Sequence, residues 1–225
     1  MCVNYKPPTR SEIAELIHAR MDDPADWPAD TWQDYAAPII RAEMGADRAI
    51  ELAVGTYGMI PKRFLPPGKK NITTMNARAE TVGQKPAYAT AWRRGHTCLV
   101  PMKSFREPSY ESGKSAWWSI GMADDAPFCV AGLWRAWEEP EGGEALAFTQ
   151  ITINADTHPV MRRFHQPGDE KRSLVIVPHS EYGAWLTCRD PEQARAMLSL
   201  YPAQNMKTWP EVRPSPAGAT TLSLF

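Results

Sequence analysis

The part of the chain that most restricts its fold runs from Thr97 to Val177. Within it, Cys98-Leu99-Val100, Ala116 to Met122, Phe128 to Trp137, Ala145 to Asn154 and Leu174 to Val177 are rich in Val, Ile, Thr, Phe and Trp, and Gly, Pro or charge clusters separate them. Runs of this length and composition read as strands. The connections are mostly short, which favours antiparallel neighbours, because parallel ones need long crossovers. At 225 residues the chain can bury one substantial core, and its 21 prolines oppose a helical bundle. The expected class is α+β: a single domain with a largely antiparallel, curved or barrel-like β-sheet core and peripheral helices.

Around that sheet the signals are local. Thr9 and Glu12 form a capping box for a helix carrying Ile13, Leu16 and Ile17 and ending near Met21. Residues 22–38, rich in Pro, Asp and Trp, read as a long loop, and Ala49 to Ile60 as β-structure. Pro61 to Asn71 is a basic loop broken by prolines. A short helix is expected over Glu181 to Thr187, and another from Asp190, with Pro191 in its first turn, through Leu198. Residues 207–221 are rich in Pro, Ala and Thr, so the domain is placed at 1–206 and an extended tail at 207–225.

Charge is nearly balanced, with 25 Lys+Arg against 26 Asp+Glu, so any nucleic-acid surface is a local patch. The four cysteines, Cys2, Cys98, Cys129 and Cys188, lie far apart, which is neither a zinc pattern nor a disulfide framework. No metal or cofactor is expected. Neither a signal peptide nor an apolar span of membrane length is visible, so the expected location is cytoplasmic.

Four features could carry chemistry. After removal of Met1, Cys2 would present an amine and a thiol on adjacent carbons, a pair that condenses with an aldehyde to an imine and then a thiazolidine. In Asn76-Ala77-Arg78-Ala79-Glu80-Thr81, an extended backbone points Asn76, Arg78 and Glu80 one way, suited to a hydroxyl and a phosphate. A solvated strand face with an Arg78–Glu80 salt bridge is the alternative. Glu107, after the Cys98 strand, suits a partly buried general acid. His165 falls in a basic loop between two core strands, where reactive groups tend to sit. Separately, the terminal Leu222-Ser223-Leu224-Phe225 is an apolar segment of the kind that docks in a partner pocket.

Together these elements resemble the SRAP family of abasic-site processing proteins and SOS response-associated peptidases. Asn76-Ala77-Arg78-Ala79-Glu80-Thr81 is close to its N-A-R-x-E-T signature, and Cys2 directly follows Met1. Cys98-Leu99-Val100-Pro101 leading to Phe105-x-Glu107 is similar to C-L-I-P…G-F-Y-E-W, and Ala131-Gly132-Leu133-Trp134 matches A-G-L-W. Thr149 to Ala155 followed by His165 is similar to the I-T-x-x-A…H block.

The resemblance implies an SRAP fold and covalent capture of abasic sites in single-stranded DNA. Cys2 would be the nucleophile, Asn76 an orienting group, Glu107 an acid/base and His165 a proton donor in sugar-ring opening. Arg78, and Arg172 as a displaced arginine, would bind DNA. Residues Leu222, Ser223, Leu224 and Phe225 are similar to the bacterial sliding-clamp motif, with Thr221 in place of Gln. A monomer is expected, nucleoid-associated when on DNA. The chain departs from the pattern at Val3-Asn4, where the family has Gly-Arg, at Pro108, where Trp is common, and in a longer segment after His165. Two other readings are a thiol peptidase pairing Cys2 with His165, and a non-catalytic single-stranded DNA-binding module.

Overall fold

The computed structural model describes residues 3–43, 49–66, 68 and 72–211. In chain order its strands are β1 (Asn4–Lys6), β2 (Ala36–Ala42), β3 (Ile50–Tyr57), β4 (Asn76–Arg78), β5 (Thr97–Met102) and β6 (Ser104–Ser109). Then follow β7 (Ala116–Met122), β8 (Phe128–Glu138), β9 (Glu144–Asn154), β10 (Arg172–Leu174), β11 (Ile176–Val177) and β12 (Met206–Pro210). The helices are α1 (Arg10–Leu16), α2 (Ala89–Arg93), α3 (Tyr182–Thr187) and α4 (Pro191–Ala196).

Two sheets organise these strands. In the larger, β9, β3, β2, β5 and β8 are neighbours in that order, and β8 pairs back onto β9, so the five close into a barrel. Its pairs are antiparallel except β3 with β9. β10, β11 and the parallel β4 extend the wall from outside the ring. The smaller sheet, β1-β6-β7-β12, is wholly antiparallel. The α+β class with a barrel-like, largely antiparallel sheet expected from the sequence is therefore present.

The barrel strands read as unbroken apolar runs because both faces of the wall are covered. Along β5, Cys98, Val100 and Met102 pack with Phe105, Ile120 and Met206 of the smaller sheet, whereas Leu99 packs on the opposite side with Trp92, Trp185 and Leu186. Trp185 is fully buried and donates its indole N–H to the Cys98 carbonyl at 2.8 Å, tying α3 to the wall. Burial drives the Cys98 and Cys129 thiols up, the latter to about 12, so both behave as small apolar side chains.

Several elements differ from expectation. The Thr9–Glu12 capping box is formed, but α1 stops at Leu16 with Ile17 extended. The chain leaves the helix to bond β3: Arg20 N–H reaches the Ile50 carbonyl and Leu52 N–H the Arg20 carbonyl, both at 2.8 Å. β2 takes Ala36–Pro38 out of the expected loop. β12 pairs with β7 from Met206 to Pro210, so Lys207–Pro210, placed in the tail on composition, belongs to the sheet. The clamp-like segment Leu222–Phe225 and the nucleophile candidate Cys2 lie outside the described residues.

Gly132 shows how tight the barrel seam is. It pairs with Cys98 on one side and Gln150 on the other. A β-carbon there would lie 2.7 Å from the Thr149 carbonyl oxygen, 2.9 Å from Cys98 Sγ and 2.9 Å from Val100 Cγ2. Gly132→Ala is therefore expected to cost about 1–3 kcal/mol of stability. Urea denaturation checks this, and an unchanged midpoint would contradict the packing described.

Candidate active site

β6 carries the site, and its alternation explains why. Phe105, Glu107 and Ser109 are buried, while Arg106 and Pro108 face the other way and are only half-buried. Glu107 thus points to the same side as the core residue Phe105, an unusual place for a carboxylate. β1 covers β6 only as far as the Asn4–Arg106 pair. Beyond it the edge of β6 is taken by a different segment: Phe164 bridges Ser109, and the His165 N–H donates to the Pro108 carbonyl at 2.9 Å. Proline is acceptable here because its missing N–H would face a short edge.

This pairing brings Glu107 and His165 together. Glu107 Oε2 lies 3.2 Å from His165 Nε2, and the two side chains are 3% and 7% exposed. His165 has φ 66°, the left-handed region that non-glycine residues avoid and that tends to persist at functional sites. Its backbone is held at both groups, the N–H by Pro108 and the carbonyl by Lys171 Nζ at 3.4 Å, and the same Nζ holds the next carbonyl, that of Gln166, at 2.8 Å.

Asn76 approaches from β4. It pairs in register with Gln150 of β9, so the two side chains share a face, and the Tyr57 hydroxyl donates to the Gln150 side chain at 3.1 Å. The Asn76 carbonyl accepts from the Tyr88 hydroxyl at 3.1 Å, and burial raises the Tyr88 phenol to about 12, so it stays a donor. Asn76 is 9% exposed and Gln150 fully buried. Gln150 was legible as a lone amide inside the apolar run Thr149–Ile153. Tyr57 and Tyr88 carried no such signal, since aromatic residues are ordinary in a core.

Arg78 and Glu80 do not pair with each other. Arg78, half exposed, reaches Glu170 at 2.6 Å, while Glu80 takes a fork from Arg172 at 2.8 and 2.9 Å. Arg172 is 2% exposed and also bonds Glu170 at 2.7 Å and the Thr152 carbonyl at 2.7 Å. Its guanidinium is enclosed by protein groups, so in this state it clamps the His165 loop to β9 and presents no surface to a strand of DNA. Arg78 faces solvent. Val3-Asn4 also finds a structural role: Asn4 is fully buried, bonds the Thr31 carbonyl at 3.0 Å and accepts from Arg106, which locks β1 onto β6. An open cleft of about 530 Å³ adjoins His165, lined by Tyr110, Glu111, Arg162, Arg163 and Lys171.

The family model for SOS response associated peptidase (SRAP) matches residues 1–214. The chain belongs to the SRAP family. A solved protein of Bordetella bronchiseptica superposes with a TM-score of 0.82 at 32% identity, covering 94% of this chain and 100% of its own. A solved protein of Bacteroides thetaiotaomicron, at 20% identity and a TM-score of 0.74, shares the fold. Among curated relatives, abasic site processing protein YoaM of Bacillus subtilis is 28% identical over 159 residues, which span 68% of this chain and 65% of YoaM. HMCES of Xenopus tropicalis, also named an abasic site processing protein, is 25% identical over 179 residues, 71% of this chain and 52% of its own length. No helix among the described residues is long and apolar enough to cross a membrane.

The Glu170 cluster gives the SRAP loop a pH signature. Arg172 first, then Asn154 and Arg78, hold the Glu170 carboxyl down at about 2. A depressed carboxyl contributes stability that is complete above its unfolded value near 4.5 and is lost as pH falls towards 2. The melting temperature is expected to drop across that window, and less steeply in Glu170→Gln. Identical pH profiles for the two proteins would show that the cluster does not hold the loop.

Proposed function

We propose that this SRAP protein captures abasic sites in single-stranded DNA as a covalent adduct on Cys2. The observation that carries the reading is the buried Glu107–His165 pair on the strand that β1 abuts. Asn4 pairs with Arg106, the neighbour of Glu107, and covalent geometry keeps residue 2 within about 7 Å of Asn4 along the chain. Relatives named abasic site processing proteins supply the substrate.

The chemistry assigns each group a step. With Met1 removed, the Cys2 amine adds to the C1′ aldehyde of the ring-opened sugar to give a carbinolamine. Loss of water yields an imine, and the Cys2 sulfur then adds to the same carbon, closing a thiazolidine. One water leaves per adduct, and no oxidant is needed. His165 moves the proton that opens the sugar ring and Glu107 serves the proton transfers at the carbinolamine, each passing its proton through the other across their 3.2 Å contact. Asn76 orients the sugar or the amine. Arg78 binds a backbone phosphate by exchanging its Glu170 partner, and Arg172 acts on that contact only through Glu170. Selectivity arises from the aldehyde itself, since an abasic nucleotide has no base to draw out of a stack.

A peptidase reading is favoured by the family's description, and removal of Met1 by the same thiol and imidazole would be its smallest form. Intact mass addresses both readings. The protein alone reports whether Met1 has left. After incubation with abasic single-stranded DNA, the expected species is protein plus strand minus one water, absent in Cys2→Ala and absent with undamaged DNA. Equal adduct formation by Cys2→Ala would sink the reading, and turnover of added peptides would put the peptidase in its place.

A further inference from the structure

A second cavity, of about 730 Å³, lies at the other mouth of the barrel. β5 fixes the distance between the two. It begins at Thr97, beside the lining residue His96, and ends at Met102, from which the chain passes into β6 and Glu107. At about 3.3 Å per residue the mouths are about 20 Å apart. β8 runs the opposite way and brings Trp134, Arg135 and Ala136 to the His96 end.

We propose that this far mouth is a phosphate-binding site, with Arg41, Arg94 and Arg135 as its ligands. The cavity also contains Glu43, Glu51 and Glu144, so the charge has to be apportioned. Arg20, from outside, pairs with Glu43 and Glu51 as well as with Asp22, and Glu51 also takes Arg41 Nε at 2.7 Å. Glu144 stands exposed on the rim. Among the described residues Arg94 and Arg135 make no ion pair. Arg135 lies over the Trp137 ring at 3.7 Å and is buried enough to lower its pKa, a cation removed from water without a counter-ion. Arg41 lies over Trp134 at 4.2 Å and spends only its Nε on protein among the described residues.

His96 reports the field in this space. It stacks on Trp134 at 4.5 Å, and its pKa is pushed down by burial, then by Arg94, Arg189 and Arg41. The ring is thus neutral at pH 7 and adds no charge, while Arg94 and Arg135 stand in this space without an acid of their own among the described residues, a local imbalance for an anion to offset. Phosphate suits this set better than carboxylate. Three guanidinium groups offer more donors than two oxygens accept, whereas a phosphate monoester has three terminal oxygens. The volume fits a small ligand up to a mononucleotide.

Isothermal titration of the full chain at low salt, with inorganic phosphate and with thymidine 5′-monophosphate, tests the site. Saturable binding is expected for both. Equal affinities would assign the pocket to the phosphate group alone, and tighter nucleotide binding would assign it to a nucleotide. Arg94→Gln, at an exposed position, is expected to weaken binding at least threefold, and Arg94→Gln with Arg135→Gln at least tenfold. Lys114→Gln, at an exposed position away from both cavities, should leave it unchanged. No saturable binding of either probe, unchanged affinity in the folded Arg94→Gln protein, or loss of binding in Lys114→Gln would overturn the proposal.

Discussion

The contact between Glu107 and His165 is what the surrounding structure has to maintain. Both side chains are almost wholly withdrawn from water, and a buried carboxylate is costly unless its partner is held in place. Neither residue secures the contact alone. Glu107 faces inward because β6 keeps strict alternation through a proline. His165 reaches it because Phe164 and His165 take over the edge of β6 where β1 ends. The left-handed backbone at His165 persists because Lys171 and the Arg172–Glu80–Glu170 cluster pin the rest of the loop. The long segment after His165 therefore works as a buttress, and the arginine within it serves the loop.

Much of the fold follows from patterns the chain displays openly. Strands β7, β8 and β9 are long runs of β-branched and aromatic residues, and their bounds fall within a residue or so of expectation. The capping residues Thr9 and Asp190 sit where their side chains say they should. The elements that escaped are those where function or brevity breaks the pattern. β6 contains Arg106, Glu107 and Pro108, which no propensity scale assigns to a buried strand. β1 has three residues next to two prolines, and β12 looks like tail because its partner β7 is almost ninety residues away in sequence.

Candidate residues stand in motifs in a similar way. Asn76, Glu107 and His165 are named by the SRAP resemblance, as is Cys2, which lies outside the described residues. What the linear chain could not show is which acid each arginine would meet. Arg78 and Glu80 alternate on one face, yet each finds its partner in the loop near residue 170. That choice depends on β4 and β10 both pairing with β9. Closure of the barrel creates two mouths. One gathers the buried carboxylate and imidazole. The other gathers arginines, and Trp134 at the end of the Ala131–Trp134 motif forms its floor.

The central claim is that Glu107 and His165 act as one proton-transfer unit. Rates of adduct formation with abasic single-stranded DNA, measured for Glu107→Gln, His165→Asn and the double variant, address it directly. Each single change is expected to slow the reaction by about 10²–10⁴-fold. The double variant should be scarcely slower than the slower single one, since groups acting as a unit are strongly non-additive. Losses that multiply in the double variant would show that the two residues act independently and that their contact is structural only.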